Sequence, residues 1–351
     1  MSPSRRLVGR AILSGLVSLA AAMRVTRATN WLGEKKMPPL RGAVEWLNSK
    51  PLDAEDLRGK VVLVDFWTFT CINWRRTLPY LRAWEAKYQQ SGLLIIGIHT
   101  PEFSFEHDVP SVQRQARAMK IDYPIAIDNN YSIWQAFDNQ YWPALYLIDA
   151  QGHIRHRQFG EGEYDRCETV LQQLLREGGH EVDASHVTPD IDGTELSADL
   201  RNLRTPETYV GYEQAQNFAS RGGQHSNARR VYTAPATLEL NEWALVGDWT
   251  VQREAAVLNV SGGRAAFQFH ARDLNLVLAP GISSNPVRFR VLIDGKEPAG
   301  SEGVDVDEHG AGLVSEARMY QLIRQHGTIA ARRFEIEFLD AGVGVYDFTF
   351  G

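Results

Sequence analysis

The sequence predicts an α/β domain followed by an all-β domain of sandwich type, and three observations carry that prediction. Strand-like apolar runs alternate with helical spacings from Trp46 to Arg176. The composition then turns polar, with little periodicity, between His180 and Asn227. Beyond it, strand-like alternation continues with no helical stripe. A chain of 351 residues also exceeds what one hydrophobic core usually serves. The expected organisation is a leader over 1–30, an α/β domain over 46–178, a connector over 179–227 and a β-domain over 228–351.

The leader reads as an export signal. Arg5 and Arg6 give it a basic start, Ala11 to Met23 is an apolar run too short to span a bilayer comfortably, and Ala20-Ala21-Ala22 suits cleavage at small residues. The paired arginines suggest the twin-arginine route, which places the bulk of the chain in the periplasm or outside the cell. Arg24 and Arg27 follow closely, so an uncleaved membrane anchor is the alternative.

In the α/β part, Val61 to Val64 is a continuous apolar run, as a strand buried on both faces requires. Thr77 to Gln89 has helical spacing, with Leu78, Leu81, Trp84 and Tyr88 on one face. Leu93 to Ile98 reads as a second buried strand, Val112 to Met119 as a helix, Ile125 to Ile127 as a short strand and Tyr131 to Phe137 as a helix. Leu145 to Ile148 and His153 to Arg157 flank Asp149-Ala150-Gln151-Gly152 as a hairpin. Tyr164 to Arg176 closes the domain as a helix before Gly178-Gly179. The connector holds Pro189 and Pro206 and predicts one short helix near Pro206 to Ala219. In the last part, Phe267 to Phe269, Leu274 to Leu278, Val287 to Ile293, Phe334 to Phe338 and Val345 to Phe350 have the spacing of a β-sandwich.

Composition narrows the function classes. Hydrophobic residues make up 44% and charged residues 23%, as in ordinary soluble domains, and a net charge of −6 without a basic run argues against nucleic acid as the partner. Two cysteines, Cys71 and Cys167, are too few for a disulfide scaffold. His153 and His156 lie by the hairpin turn with no third ligand at zinc-like spacing, so no metal or other cofactor is implied.

The informative stretch runs from Val64 to Pro79, where a strand passes through a short loop into a helix and puts Cys71 at the helix N-terminus. Unsatisfied N–H groups and the positive dipole end stabilise a thiolate there, and Arg75 and Arg76 would add to this. The spacing therefore predicts a lowered thiol pKa; a buried inert cysteine is the competing reading.

These residues resemble thioredoxins in Asp65-Phe66-Trp67, in the distance to Cys71 and in Pro79. Thr68-Phe69-Thr70-Cys71-Ile72-Asn73, His99-Thr100-Pro101-Glu102-Phe103, Asn139-Gln140-Tyr141-Trp142-Pro143-Ala144 and Phe159-Gly160-Glu161-Gly162-Glu163-Tyr164 are similar to the thioredoxin-like domain of the DipZ family. The resemblance continues through Thr205 to Tyr212, Trp243 to Trp249, Phe269 to Asp273 and Val304 to Asp307. It implies an α/β thioredoxin fold followed by an all-β sandwich like a carbohydrate-binding module. It also implies an extracytoplasmic thiol–disulfide oxidoreductase whose partners are protein thiols and disulfides and an external thiol reductant. By the same resemblance Pro143 is the cis-proline facing the redox motif, Trp142 pairs with the substrate chain, and Asp65 is the buried acid that assists proton transfer. Glu102 is placed to approach Cys71 or to sit in solvent, and Trp67 to shield the thiol or to pack in the core.

The departure from the family lies in Cys71-Ile72-Asn73-Trp74, where Trp74 stands in place of the second cysteine. Trp74 cannot resolve a mixed disulfide. Cys167, between Arg166 and Glu168, reads as a surface or semi-buried residue away from the site. The indole at 74 either packs under Cys71 or turns outward over the thiol, and packing it inside requires the space to be remade. Three functions compete: a monothiol redox protein, a thiol peroxidase suggested by Thr68-x-x-Cys71, and a binding module that has lost catalysis. In the β-domain, Trp243, Trp249 and Tyr320 would stack on a carbohydrate or lie in the core, and sandwiches commonly bury such residues between their sheets.

Overall fold

The computed structural model describes residues 35–281 and 285–351, so the export leader expected over 1–30 lies outside the described residues. The first domain is built on six strands: β1 (Glu45–Leu47), β2 (Val61–Trp67), β3 (Leu93–His99), β4 (Ile125–Ile127), β5 (Ala144–Ile148) and β6 (Ile154–Phe159). They lie in the order β1-β4-β3-β2-β5-β6. The β2–β3 and β3–β4 pairs are parallel and the others antiparallel, as the βαβ connections and the β5–β6 hairpin require. Four helices complete it: α1 (Ile72–Tyr88), α2 (Val109–Ala118), α3 (Ser132–Ala136) and α4 (Tyr164–Glu177).

Every residue of β2 is buried because helices cover both sheet faces. Leu63 and Trp67 pack with Trp74, Leu78, Leu81 and Trp84 of α1 and with Leu171 and Leu174 of α4. Val62, Val64 and Phe66 pack on the other face with Ile133 of α3 and with Phe137 just after it. α1 begins five residues before the helical spacing read from Thr77, and Trp74 extends its apolar stripe one turn toward the N-terminus.

The second domain contains β7 (Thr208–Tyr209), β8 (Arg229–Tyr232), β9 (Trp243–Val251), β10 (Ala256–Leu258), β11 (Gly263–Phe269), β12 (Asp273–Ala279), β13 (Val287–Ile293), β14 (Ala311–Val314), β15 (Arg318–Arg324), β16 (Arg332–Phe338) and β17 (Gly344–Phe350). All pair antiparallel in one curled sheet ordered β14-β13-β16-β11-β9-β10-β17-β12-β15, with β7 on β17 and β8 on β9. The two arms, continuous through β9, face each other across one core, where Phe267 of β11 meets Phe348 of β17 at 5.0 Å and Phe289 of β13 meets Tyr320 of β15 at 6.5 Å.

The short helix expected near Pro206 to Ala219 is absent. Thr208 and Tyr209 are extended and pair with Phe348 and Asp347, which supply the backbone partners a helix would otherwise provide internally. No helix among the described residues is long and apolar enough to cross a membrane.

The two domains are in contact. Val277 of β12, Met319 of β15, Tyr209 and Tyr346 pack against Ile72, Phe103 and Phe105 of the first domain. Arg76 of α1 donates to the Phe350 carbonyl (3.3 Å), and the Ser104 N–H donates to Glu254 (2.9 Å). The β-domain therefore lies against the start of α1, where Cys71 sits.

Candidate active site at Cys71

Cys71 is the N-cap of α1, in an extended conformation that turns the chain from loop to helix. Its N–H donates to the Thr68 carbonyl (3.3 Å), and its carbonyl accepts from the Arg75 N–H (3.1 Å). The residue is part-buried and its thiol is free. The expected lowering of the thiol pKa is not what the structure gives. Burial pushes the Cys71 thiol well above the ordinary range, and the Glu102 and Glu207 carboxylates push it further, while the N–H groups of Trp74 and Asn73 pull the other way. The helix start does favour the thiolate, as the sequence implied, but crowding and two acids outweigh it.

The arginines are engaged elsewhere. Arg76 is buried against Glu161 (2.9 Å) and Phe350. The charges that act most on Arg75 are Arg318 and Asp305 of the β-domain, followed by Glu195 of the connector.

Trp74 turns inward. Its indole is fully enclosed, stacks on Trp67 at 4.4 Å and 26°, and donates its Nε1–H to Asp65 Oδ2 (2.9 Å). Trp67 is likewise enclosed in the core beneath the loop and offers no surface to a substrate. Room for two indoles comes from Gly97, which lies beside Asp65 on the adjacent strand β3. A Cβ at Gly97 would stand 2.8 Å from Trp67 Nε1 and 3.1 Å from the Tyr123 ring. Asp65 is held by Trp74 and by the Tyr123 hydroxyl (3.4 Å), and burial raises its carboxyl to about 7 even though both hydrogen bonds oppose the shift.

Glu102 is drawn into the domain junction rather than into solvent. The Tyr209 hydroxyl donates to it, and burial together with Glu207 and Glu106 raises it to about 8. The Glu207 and Asp347 carboxyls of the β-domain act on each other and both are raised; Asp347 is enclosed, and burial pushes it well above the carboxylate range with Glu207 as its main charged neighbour. Three carboxyls thus gather at the junction beside Cys71, two of them from the second domain.

The Trp142–Pro143 peptide bond is cis, and Pro143 is buried at the start of β5. The Trp142 indole leans on Trp134 (4.3 Å) and donates to the Thr100 carbonyl (3.1 Å). Among the described residues no backbone–backbone hydrogen bond engages Trp142.

Cys167 is not a surface residue. It is 1% exposed, lies 3.7 Å from His156 Nε2, and burial raises its thiol to about 12. Glu168 misled the sequence reading, because it is itself buried, accepting from the Tyr88 hydroxyl and the Val187 N–H. The sugar-stacking alternative is also removed: Trp243, Trp249 and Tyr320 are fully enclosed in the β-domain core, with Trp243 donating to Gln216, Trp249 to Val246 and Tyr320 to Glu316 carbonyls (2.7, 2.8 and 2.8 Å). Glu106, Glu207, Tyr209 and Asp347 were not singled out from the sequence. An acid one helical turn after Glu102 was the only local signal for Glu106, and the other three meet the site across more than a hundred residues of chain.

Residues 36–157 match the AhpC/TSA family, and residues 205–351 match the Thioredoxin like C-terminal domain. Protein DipZ of Mycobacterium bovis is 40% identical over 248 residues, which cover 69% of this chain and 34% of that protein. The chain thus spans about a third of the length of this relative. The thiol-disulfide oxidoreductase YkuV of Bacillus subtilis is 29% identical over 141 residues, covering 40% of this chain and 95% of that protein. A solved thioredoxin-like protein in its oxidised form is 31% identical and aligns with 40% of this chain and 95% of its own, with a TM-score of 0.38.

Proposed function

The chain belongs to the thioredoxin-like family, and on that premise we propose that it is an extracytoplasmic thiol–disulfide protein that works through Cys71 alone. The observation that carries this reading is a single free thiol on the part-buried residue Cys71 at the start of α1, with Trp74 filling the space of a second one. The Cys71 thiolate attacks one sulfur of a substrate disulfide; a Cys71–substrate disulfide forms, and the other substrate sulfur leaves with the electron pair and takes up a proton. An external thiolate then attacks the substrate sulfur of the mixed disulfide and releases Cys71 as thiolate. Trp142, with its backbone groups uncommitted beside Pro143, supports an extended substrate chain docking there. The export leader read at residues 1–30 supports an oxidising compartment.

A second reading, a binding module that has lost catalysis, is favoured by the acids and burial that hold the thiol protonated. The two separate in one experiment on the Cys167→Ser protein. Exposure to a small aromatic disulfide should give one mixed disulfide at Cys71, cleared by excess external thiol. If Cys71 reacts only after denaturation, the catalytic reading is lost and the binding module stands.

A further inference from the structure

The loop that leads into Cys71 is fastened by a carboxylate that the thiol chemistry does not use. Glu106 lies in the single 3-10 turn Ser104–His107 after β3, is fully enclosed, and has no ion-pair partner among the described residues. One oxygen, Oε1, accepts from the Thr70 N–H (3.3 Å) and the Thr70 hydroxyl (2.7 Å). The other, Oε2, accepts from the N–H groups of Glu102 (2.7 Å) and Phe103 (3.0 Å). Each oxygen therefore holds a different loop.

Those two loops have different neighbours. Thr70 immediately precedes Cys71, so the first oxygen fixes the backbone that presents the thiol. Glu102 is the charge that acts most on that thiol. Phe103 is where the β-domain docks, its ring 5.3 Å from Tyr346 and 6.3 Å from Tyr209. Burying a carboxylate without a cation is costly; donors on both oxygens offset part of that cost, and burial still raises the Glu106 carboxyl. A glutamine would fill the same volume at lower cost but could serve only one of the two loops as acceptor.

We propose that Glu106 is a positioning residue for Cys71: it ties the Thr70–Cys71 loop to the Glu102–Phe103 loop, so that docking of the β-domain sets how far the thiol is covered and which carboxylate faces it. The charged and titratable groups around this junction include Glu102 from the β3 loop, Arg75 and Arg76 from α1, Tyr131 before α3, Glu161 after β6, and Glu207, Tyr209, Glu254, Asp305, Arg318, Tyr346 and Asp347 from the β-domain. The proposal rests on the reading that Cys71 is a reactive thiol, and its test is kept separate from turnover.

The test uses the full chain carrying Cys167→Ser and follows alkylation of Cys71 by iodoacetamide from pH 6 to 10. Glu106→Gln releases one loop, so the thiol moves from burial and from Glu102. Alkylation at pH 8 should rise about tenfold, with the midpoint of the profile shifted to lower pH. Phe103→Ala, which weakens docking at the other end of the same tie, should shift the profile in the same direction, and Glu106→Asp, one methylene short, should recover at most part of the parental behaviour. A residue that merely stabilised the fold would lower the urea midpoint and leave the alkylation profile of the folded protein where it was; that result overturns the proposal. Should Glu106→Gln not fold, Phe103→Ala and Thr70→Val decide, and unchanged profiles in both have the same force. If Cys71 alkylates as expected yet never forms a mixed disulfide, the monothiol reading fails while the role of Glu106 stands.

Discussion

Asp65 and Trp74 form the pair on which the character of this site turns. In the dithiol arrangement the buried acid faces a second thiol; here it accepts the indole N–H at 2.9 Å, and its second oxygen has no partner among the described residues. The acid is therefore a structural liability when charged. Its carboxyl titrates at about 7 in the folded protein against an ordinary 3.8, so the folded state holds the proton more tightly than the unfolded chain. The sign follows: Asp65 costs no stability below pH 4, and its penalty grows as pH rises from there through about 7, reaching roughly 4 kcal/mol above it. Asp65→Asn keeps an acceptor for Trp74 and removes the charge. Urea unfolding at pH 5 and pH 8 should show the variant's gain over the parent larger at pH 8 by about 2–3 kcal/mol, part of the gain being present already at pH 5, where the unfolded carboxyl is mostly ionised. An equal effect at both values would mean that Asp65 is ionised throughout.

At the scale of single elements the sequence was informative wherever one strand or helix decides its own burial. The run at Val61 to Val64 became the central strand β2, and the spacing of Leu78, Leu81, Trp84 and Tyr88 became the buried face of α1. Trp74 stands four residues before Leu78 and so belongs to the same stripe, which answers the question of where its indole goes; the answer was hidden because the helix was read from Thr77. What no stripe could reveal was the void that receives it. That space is a property of the β2–β3 pair, in which Gly97 lies opposite Asp65 and leaves the Trp67 indole its place. Gly97 has no need of left-handed backbone, so its role is volume alone. Gly97→Ala should then destabilise the domain by about 1–3 kcal/mol through overpacking, measured as a lower urea midpoint with an unchanged slope. A neutral result would show that the two indoles can slide within the core.

The polar residues of the β-domain illustrate why the whole molecule was harder to read than its parts. Along β12, Leu274, Leu276 and Leu278 enter the domain core, while Asn275 and Val277 alternate to the other face. Asn275 lies beside Gln321 of β15 and Thr349 of β17, and Asp347 lies beside Val277, a pattern that reads as the solvent side of a sheet. All four polar residues are nevertheless buried, because Val277 and Met319 on that same face pack against Ile72 and Phe103 beside Cys71. Asn275 Oδ1, Gln321 Oε1, Asp347 Oδ1 and Thr349 Oγ1 have no hydrogen-bond partner among the described residues. Each buried polar atom left unsatisfied costs about 1–3 kcal/mol, so the contact between the domains is one that water can compete for. The carboxyls give that competition a pH. Glu102 titrates at about 8 in the docked form, and Glu207 and Asp347 are raised beside it. Docking therefore favours the protonated acids: it is strongest at low pH and weakens as pH rises from the ordinary carboxyl range up to about 8, because the undocked acids give up their protons to water before the docked ones do. Hydrogen exchange along β12 and β17 compared at pH 6.5 and pH 9, after correction for the intrinsic pH dependence, should show faster opening of the amides that face the first domain at the higher pH. The Glu207→Gln, Asp347→Asn double variant should flatten that difference. Protection that is the same at both pH values in the parent would mean that docking changes the proton binding of these acids little over that range, and that the β-domain is a fixed wall of the site.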